Sequence, residues 1–166
     1  MNKRGCCAAL MLALMFFGGA ALAQTAVVDN GSDPGSRLNM RSAPSREASS
    51  VGRFSSGTRV QVLADAGEGW AEVTIGSGSA SVHGYMMAAY LRDDASGVLD
   101  AREERSVVSP YGTPSVVLRD RPSDSYGAVA MLPVGERVTV IGVSGDFCYV
   151  QRSDGAVGCL AGDELR

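Results

Sequence analysis

The sequence predicts an all-β protein made of two small barrels in tandem behind an apolar leader, and three observations carry that prediction. The first is an internal repeat. Residues 38–63, LNMRSAPSREASSVGRFSSGTRVQVL, return as residues 116–141, VVLRDRPSDSYGAVAMLPVGERVTVI. At a constant offset of 78 residues Arg41 falls on Arg119, Pro44 on Pro122, Ser45 on Ser123, Val51 on Val129, Gly57 on Gly135 and Arg59 on Arg137. Ungapped agreement over so many spaced positions marks a duplicated structural unit. The second is an apolar period of two, in Arg59-Val60-Gln61-Val62, in Trp70-Ala71-Glu72-Val73-Thr74-Ile75 and in Arg137-Val138-Thr139-Val140, as half-buried strands require. The third is a turn signal every ten residues or so, at Ser56-Gly57, Gly67-Glu68-Gly69, Gly76-Ser77-Gly78, Gly135 and Ser153-Asp154-Gly155. No long helical pattern follows the leader, and closing short bent strands into a barrel removes their exposed edges.

In chain order, Lys3 and Arg4 give a basic start, residues 6–17 an apolar run, and Ala21-Leu22-Ala23 a small-residue cleavage site before Gln24. Residues 1–23 therefore read as a secretory signal peptide. The alternative is an uncleaved anchor, since the uncharged stretch 6–23 approaches the roughly 20 residues of a spanning helix. The A-x-A site favours cleavage, and lipid attachment would need a cysteine where Gln24 stands. The expectation is export to the periplasm or beyond, with no stable membrane insertion after cleavage. Of the 15 basic residues Lys3 and Arg4 leave with the leader, and the remaining 13 face 18 acidic ones, a formal net charge of −5. That balance, with no basic face, argues against nucleic acid or anionic lipid as a partner; mild acidity serves solubility.

The rest divides into an extended lead (24–37), a first domain (38–92), a linker (93–114) and a second domain (115–166). The linker is broken by Pro110, Gly112 and Pro114, while VLDAREER over 98–105 suits one or two helical turns. It predicts a semi-flexible joint between domains of about fifty residues, near the lower limit for a self-sufficient core.

Leu38-Asn39-Met40-Arg41-Ser42-Ala43-Pro44-Ser45, then Gly57-Thr58-Arg59-Val60-Gln61-Val62, Trp70, and Gly84-Tyr85-Met86 before Leu91 resemble the bacterial SH3 domain. The second copy matches less closely, with Val117 for Asn39, Asp120-Arg121 before Pro122, Phe147 for Trp70 and Cys159 for Tyr85. The resemblance implies two SH3-like barrels and an exported binding module, often directed at cell-wall peptidoglycan or its peptides, without catalytic residues of its own and without a cofactor. Fold analogy does not fix the ligand. The rival reading is a protein–protein adaptor that docks an envelope enzyme or a secretion component.

Alternation places Ala71, Val73 and Ile75 on one face of their strand and Trp70, Glu72 and Thr74 on the other. In the second copy Cys148 and Val150 point one way and Phe147, Tyr149 and Gln151 the other. Aromatic rings beside polar residues offer flat contact area to sugars or extended peptides. The plainer reading is that Trp70 and Phe147 cap a barrel end. The tail 86–91 resembles the segment that brings a tyrosine, here Tyr90, beside the strand tryptophan, whereas the second copy has Glu164 there. The expected ligand site is thus the first domain's, lined by Trp70, Tyr85 and Tyr90, with Phe147 and Tyr149 as second-domain counterparts.

Cys148 and Cys159 are the cysteines that remain after cleavage, and in an oxidising compartment a disulfide across the Ser153-Asp154-Gly155 hairpin is the first expectation. Strand parity opposes it, because Cys148 shares a face with Val150 while Cys159 precedes an inward Leu160. Catalysis and metal binding find little support. His83 is the single histidine, no G-x-S-x-G elbow accompanies it, and Cys148, Cys159 and His83 lack paired-ligand spacing. Gly76-Ser77-Gly78-Ser79 lacks the Gly-Lys-Ser/Thr of a phosphate loop, and Glu103-Glu104 beside Arg102 and Arg105 reads as a solvated turn.

Overall fold

Alternation in the sequence becomes alternation in burial. In Trp70–Ile75 the residues Ala71, Val73 and Ile75 are buried, and in Arg37–Arg41 so are Leu38 and Met40. The computed structural model describes residues 24–77, 81–93, 95, 97–123 and 125–166, so the expected signal peptide lies outside the described residues. No helix among the described residues is long and apolar enough to cross a membrane.

The first repeat comprises β1 (Gln24–Val28), β2 (Arg37–Arg41), β3 (Ser50–Ser55), β4 (Arg59–Gly67), β5 (Trp70–Ile75), β6 (Val82–Met87) and β7 (Leu91–Arg92). They pair in the order β3-β2-β6-β5-β4-β1-β7. The second comprises β8 (Glu103–Ser106), β9 (Ser115–Arg119), β10 (Ala128–Pro133), β11 (Arg137–Ser144), β12 (Phe147–Gln151) and β13 (Val157–Ala161). Here the order is β10-β9-β13-β12-β11, with β8 also on β11. Single 3₁₀ turns, Ala88–Tyr90 and Gly162–Glu164, follow β6 and β13.

Bulges curl each sheet. The β4–β5 register shifts between Val62 and Ala64 and again between Asp65 and Gly67, and the β11–β12 register between Val140 and Gly142. An extra residue on one strand bends it and increases its twist. The curl brings β6 onto β2, Tyr85 opposite Arg41, and β13 onto β9, Cys159 opposite Arg119. Gly84 and Gly158 stand at these crossings, where a Cβ would lie 2.7 Å from the Arg41 carbonyl and 2.8 Å from that of Arg119.

The lead and the linker are not what the sequence led us to expect. Each supplies a strand to its barrel: β1 pairs with β4, Val27 opposite Arg59, and β8 with β11, Ser106 opposite Arg137. The backbone bonds repeat as well. The Gly57 N–H donates to the Val28 carbonyl at 2.9 Å, and the Gly135 N–H to that of Val107 at 2.8 Å. Helical turns over 98–105 give way to the strand starting at Glu103 because its backbone completes the open side of β11.

Nor is the joint semi-flexible. β11 adds to β3, Gly142 opposite Phe54 and Val143 opposite Arg53, which merges both repeats into one sheet. Tyr149, expected on a ligand-facing surface, is 2% exposed and lies against Phe54 with ring centroids 5.0 Å apart. Its hydroxyl donates to the Val51 carbonyl at 3.0 Å, and the Thr58 hydroxyl donates to that of Ile141 at 3.1 Å. Ile141, Tyr149, Val157 and Cys159 thus share one apolar cluster with Met40, Phe54 and Val73 of the first repeat. A smaller cluster around Leu118, Leu132, Val150 and Leu160 fills the second barrel. The linker is also held, through the Ala101 N–H on the Ser56 carbonyl at 3.0 Å.

Both repeats should therefore unfold in a single transition. Tyr149→Ala, which empties the junction, should cost about 3–5 kcal/mol, and Tyr149→Phe, which removes only the hydroxyl bond, about 1 kcal/mol. Chemical denaturation followed by circular dichroism measures both, and two resolved transitions in the wild-type protein would contradict a shared core.

Candidate functional site

Strand β2 reads Arg37-Leu38-Asn39-Met40-Arg41, and its period of two sends Leu38 and Met40 into the core and Arg37, Asn39 and Arg41 outward. The same outward face receives Trp70 from β5 and, opposite it, Met87 from β6. Tyr90 comes from the 3₁₀ turn, Arg46 from the loop between β2 and β3, and Asn30 and Ser36 from the segment after β1. Together with Leu38 these residues line a cleft of about 400 Å³. Asn30 is fastened by its own bonds, its N–H to the Ser56 hydroxyl at 2.8 Å and its side-chain amide to the Phe54 carbonyl at 3.3 Å.

The cleft is electropositive. Three guanidinium groups line it and, among the described residues, no carboxylate does. Among the described residues Arg37, Arg41 and Arg46 form no ion pair, and neither do Arg53, Arg59 and Arg166, whereas Arg92, Arg102, Arg105, Arg119, Arg121, Arg137 and Arg152 do. Arg41 donates through Nη1 to the Ala48 carbonyl at 2.7 Å, and the buried Nε of Arg37 meets no acceptor among the described residues. Just outside, the Ser45 hydroxyl first, then the Glu47 backbone N–H, and to a lesser degree the charges of Arg41 and Arg46, hold the Glu47 carboxyl below the usual carboxylate range.

Trp70 lies on the expected face but is not an exposed platform. It is 6% exposed, covered where the cleft residues converge. Tyr90 remains 45% exposed at the cleft and is the ring most open to a ligand there. Tyr85 is not part of the cleft. It points out of the same sheet farther along, opposite Glu72 and edge-on to His83 with ring centroids 6.0 Å apart. His83 bonds Glu72 at 2.7 Å on that open surface. The arginines and asparagines were missed by a search for aromatic rings, although the alternation of Arg37, Asn39 and Arg41 was the signal that could have found them.

The second repeat arranges the same framework differently. Phe147 sits opposite Ala161, as Trp70 does opposite Met87. Arg119, the counterpart of Arg41, grips Glu164 bidentately at 2.6 and 3.1 Å, and Glu164 is only 7% exposed. The guanidinium carbon lies 4.8 Å from the Tyr126 ring centroid and 5.8 Å from that of Phe147. Phe147 therefore lies over an internal ion pair, and Tyr149 is in the junction.

Cys148 and Cys159 are unbridged. The hairpin sets Cys148 opposite Leu160 and Cys159 opposite Tyr149, so the two side chains leave opposite faces of the sheet. Cys148 packs on the second barrel's core and Cys159 in the shared cluster. Burial pushes the Cys159 thiol up to about 12 and raises that of Cys148 as well.

Comparison with known proteins agrees with this architecture. The family model described as bacterial SH3 domain matches residues 36–92 and again residues 114–164. The chain belongs to the bacterial SH3 domain family. Both matches leave out β1 and β8, the strands that complete the two SH3 barrels. No curated protein matches the sequence. Among solved structures, NlpC2 from Trichomonas vaginalis aligns at 15% identity and a TM-score of 0.38, covering 87% of this chain and 48% of that one. NlpC1 from the same organism aligns at 14% identity and a TM-score of 0.39, covering 94% and 50%. The tandem SH3 chain thus spans about half the length of these structures.

The cysteine geometry has a direct consequence, since the thiolate is the species that reacts. In the folded protein at pH 8 Cys159 should resist iodoacetamide, and after denaturation without reductant both Cys148 and Cys159 should be alkylated. Mass spectrometry reads the outcome, and failure to alkylate the denatured chain until reductant is added would show a bridge.

Proposed function

We propose that this protein is an exported, non-enzymatic binder of peptidoglycan that engages wall peptides through the cleft of its first SH3 domain. The observation that carries the reading is the cleft itself. Arg37, Arg41 and Arg46 stand without ion-pair partners among the described residues beside Trp70 and Tyr90. Guanidinium groups offer several donors in a rigid fork suited to acidic and amide groups, and a ring beside them adds apolar contact. Bacterial SH3 domains generally bind the cell wall, and the wall's peptides carry such groups. Export is supported by Lys3, Arg4, the apolar run 6–17 and Ala21-Leu22-Ala23. A catalytic role has little to rest on, as His83 is spent on Glu72 at an open sheet surface and both thiols are held protonated by burial.

The test is co-sedimentation of the mature chain with protein-free sacculi. Wild type should pellet saturably. Arg41→Gln and Tyr90→Ala should each weaken binding about tenfold, or about 1.4 kcal/mol, while Tyr85→Ala, outside the cleft, should bind as wild type does. Failure of the folded wild-type protein to pellet would overturn the wall reading and favour an adaptor that docks an envelope protein.

A further inference from the structure

The duplication supplies an internal control for what the first cleft is built to receive. Arg41 and Arg119 are equivalent by sequence offset, and each faces β6 or β13 at the same crossing. Tyr90 and Glu164 are equivalent by backbone bonding. The Tyr90 carbonyl accepts the Asp29 N–H at 2.8 Å, and the Glu164 carbonyl accepts the Val108 N–H at 2.9 Å. Met87 and Ala161 are equivalent through their partners Trp70 and Phe147.

In the second domain these positions hold a carboxylate. Glu164 takes both Arg119 nitrogens and also accepts the Ala161 N–H at 2.8 Å. In the first domain the equivalent positions are held by Arg41, one nitrogen of which donates to the Ala48 carbonyl, and by the Met87 backbone, but a phenol replaces the acid. The charge there is also greater, because Arg37 and Arg46 have Ser115 and Asp124 as their sequence counterparts. The Tyr126 ring that stacks on Arg119 has Ala48 as its counterpart, so Arg41 has no ring stacked there and instead donates through Nη1 to the Ala48 carbonyl at 2.7 Å. Arg37 adds a buried Nε with no acceptor among the described residues.

We infer that the first-domain cleft is a carboxylate receptor, and that the second domain is a copy closed by its own side chain, Glu164 occupying the place of the ligand's acid. The group recognised is a free carboxylate on an otherwise uncharged or acidic peptide, held by Arg41 and the Met87 N–H, with Arg37 and Arg46 supplying the surrounding positive field and Tyr90 contacting the adjoining residue. The inference deepens the wall-peptide reading and rests on it only for the source of the acid.

The test uses ¹⁵N-labelled mature chain and three probes: a stem peptide released from sacculi, the same peptide with its carboxylates amidated, and an unrelated uncharged tripeptide with a free C-terminal carboxylate. The stem peptide should shift the Met87 amide and Trp70 indole signals saturably, and amidation should weaken binding at least tenfold. Tyr90→Glu, which gives the first domain the second domain's plug, should bind at least tenfold more weakly than Tyr90→Gln, a variant of the same size without the charge. Equal binding by acid and amide, or by the two Tyr90 variants, would overturn the inference and leave the wall reading standing. Response to the tripeptide but not to the stem peptide would support the carboxylate site and remove the wall as its source. No response to any free carboxylate would overturn the inference.

Discussion

The contact on which this structure depends is Tyr149 of the second SH3 domain against Phe54 of the first. A ring pair at 5.0 Å contributes about 0.5–1.5 kcal/mol beyond its buried area, and here it also sets the register in which β11 continues β3. Glycine makes the approach possible on both sides. A Cβ on Gly52 would lie 2.6 Å from the Tyr149 ring, and one on Gly142 2.8 Å from the Arg53 carbonyl. Two domains, each near the lower size limit for an independent core, obtain a common one by this contact.

The junction is asymmetric, and that asymmetry explains how the copies diverged. The outer face of β12 and β13 is buried against the first domain, so it carries Tyr149 and Cys159. The equivalent face of β5 and β6 is solvated and carries Glu72 and Tyr85 at the matching positions. One duplicate gave up a surface to hold its neighbour. Its arginine is likewise turned inward, since Arg119 and Glu164 form a largely buried pair whose disruption from one side would cost about 3–5 kcal/mol. The second domain thereby shares its core with the first and holds a largely buried ion pair of its own.

Much of the architecture was legible in the sequence. Arg41 over Arg119 and Gly57 over Gly135 announced the duplication, and the period of two assigned the correct face to Trp70. What could not be read was whatever depends on a partner far along the chain. β1 and β8 have little sequence in common, with Val28 at the end of β1 matched only by Val107 just after β8, so the lead and linker looked unrelated although they fill the same slot. Tyr149 looked like a surface ring because parity tells which face a residue takes and not what covers that face. The cysteine pairing was contested by the same parity rule, which the register of β12 and β13 bears out. At the cleft, attention to rings named Trp70 and Tyr90, which line it, but passed over Arg37, Arg41 and Arg46, which line it too.

One open cleft and one closed copy per chain fix the number of binding sites. Isothermal titration of the mature protein with a purified stem peptide should give one site per chain, and Arg41→Gln should weaken that site about tenfold. Two equivalent sites per chain, or a single site that Arg41→Gln leaves unweakened and that is lost when Phe147 is replaced by alanine, would contradict the account.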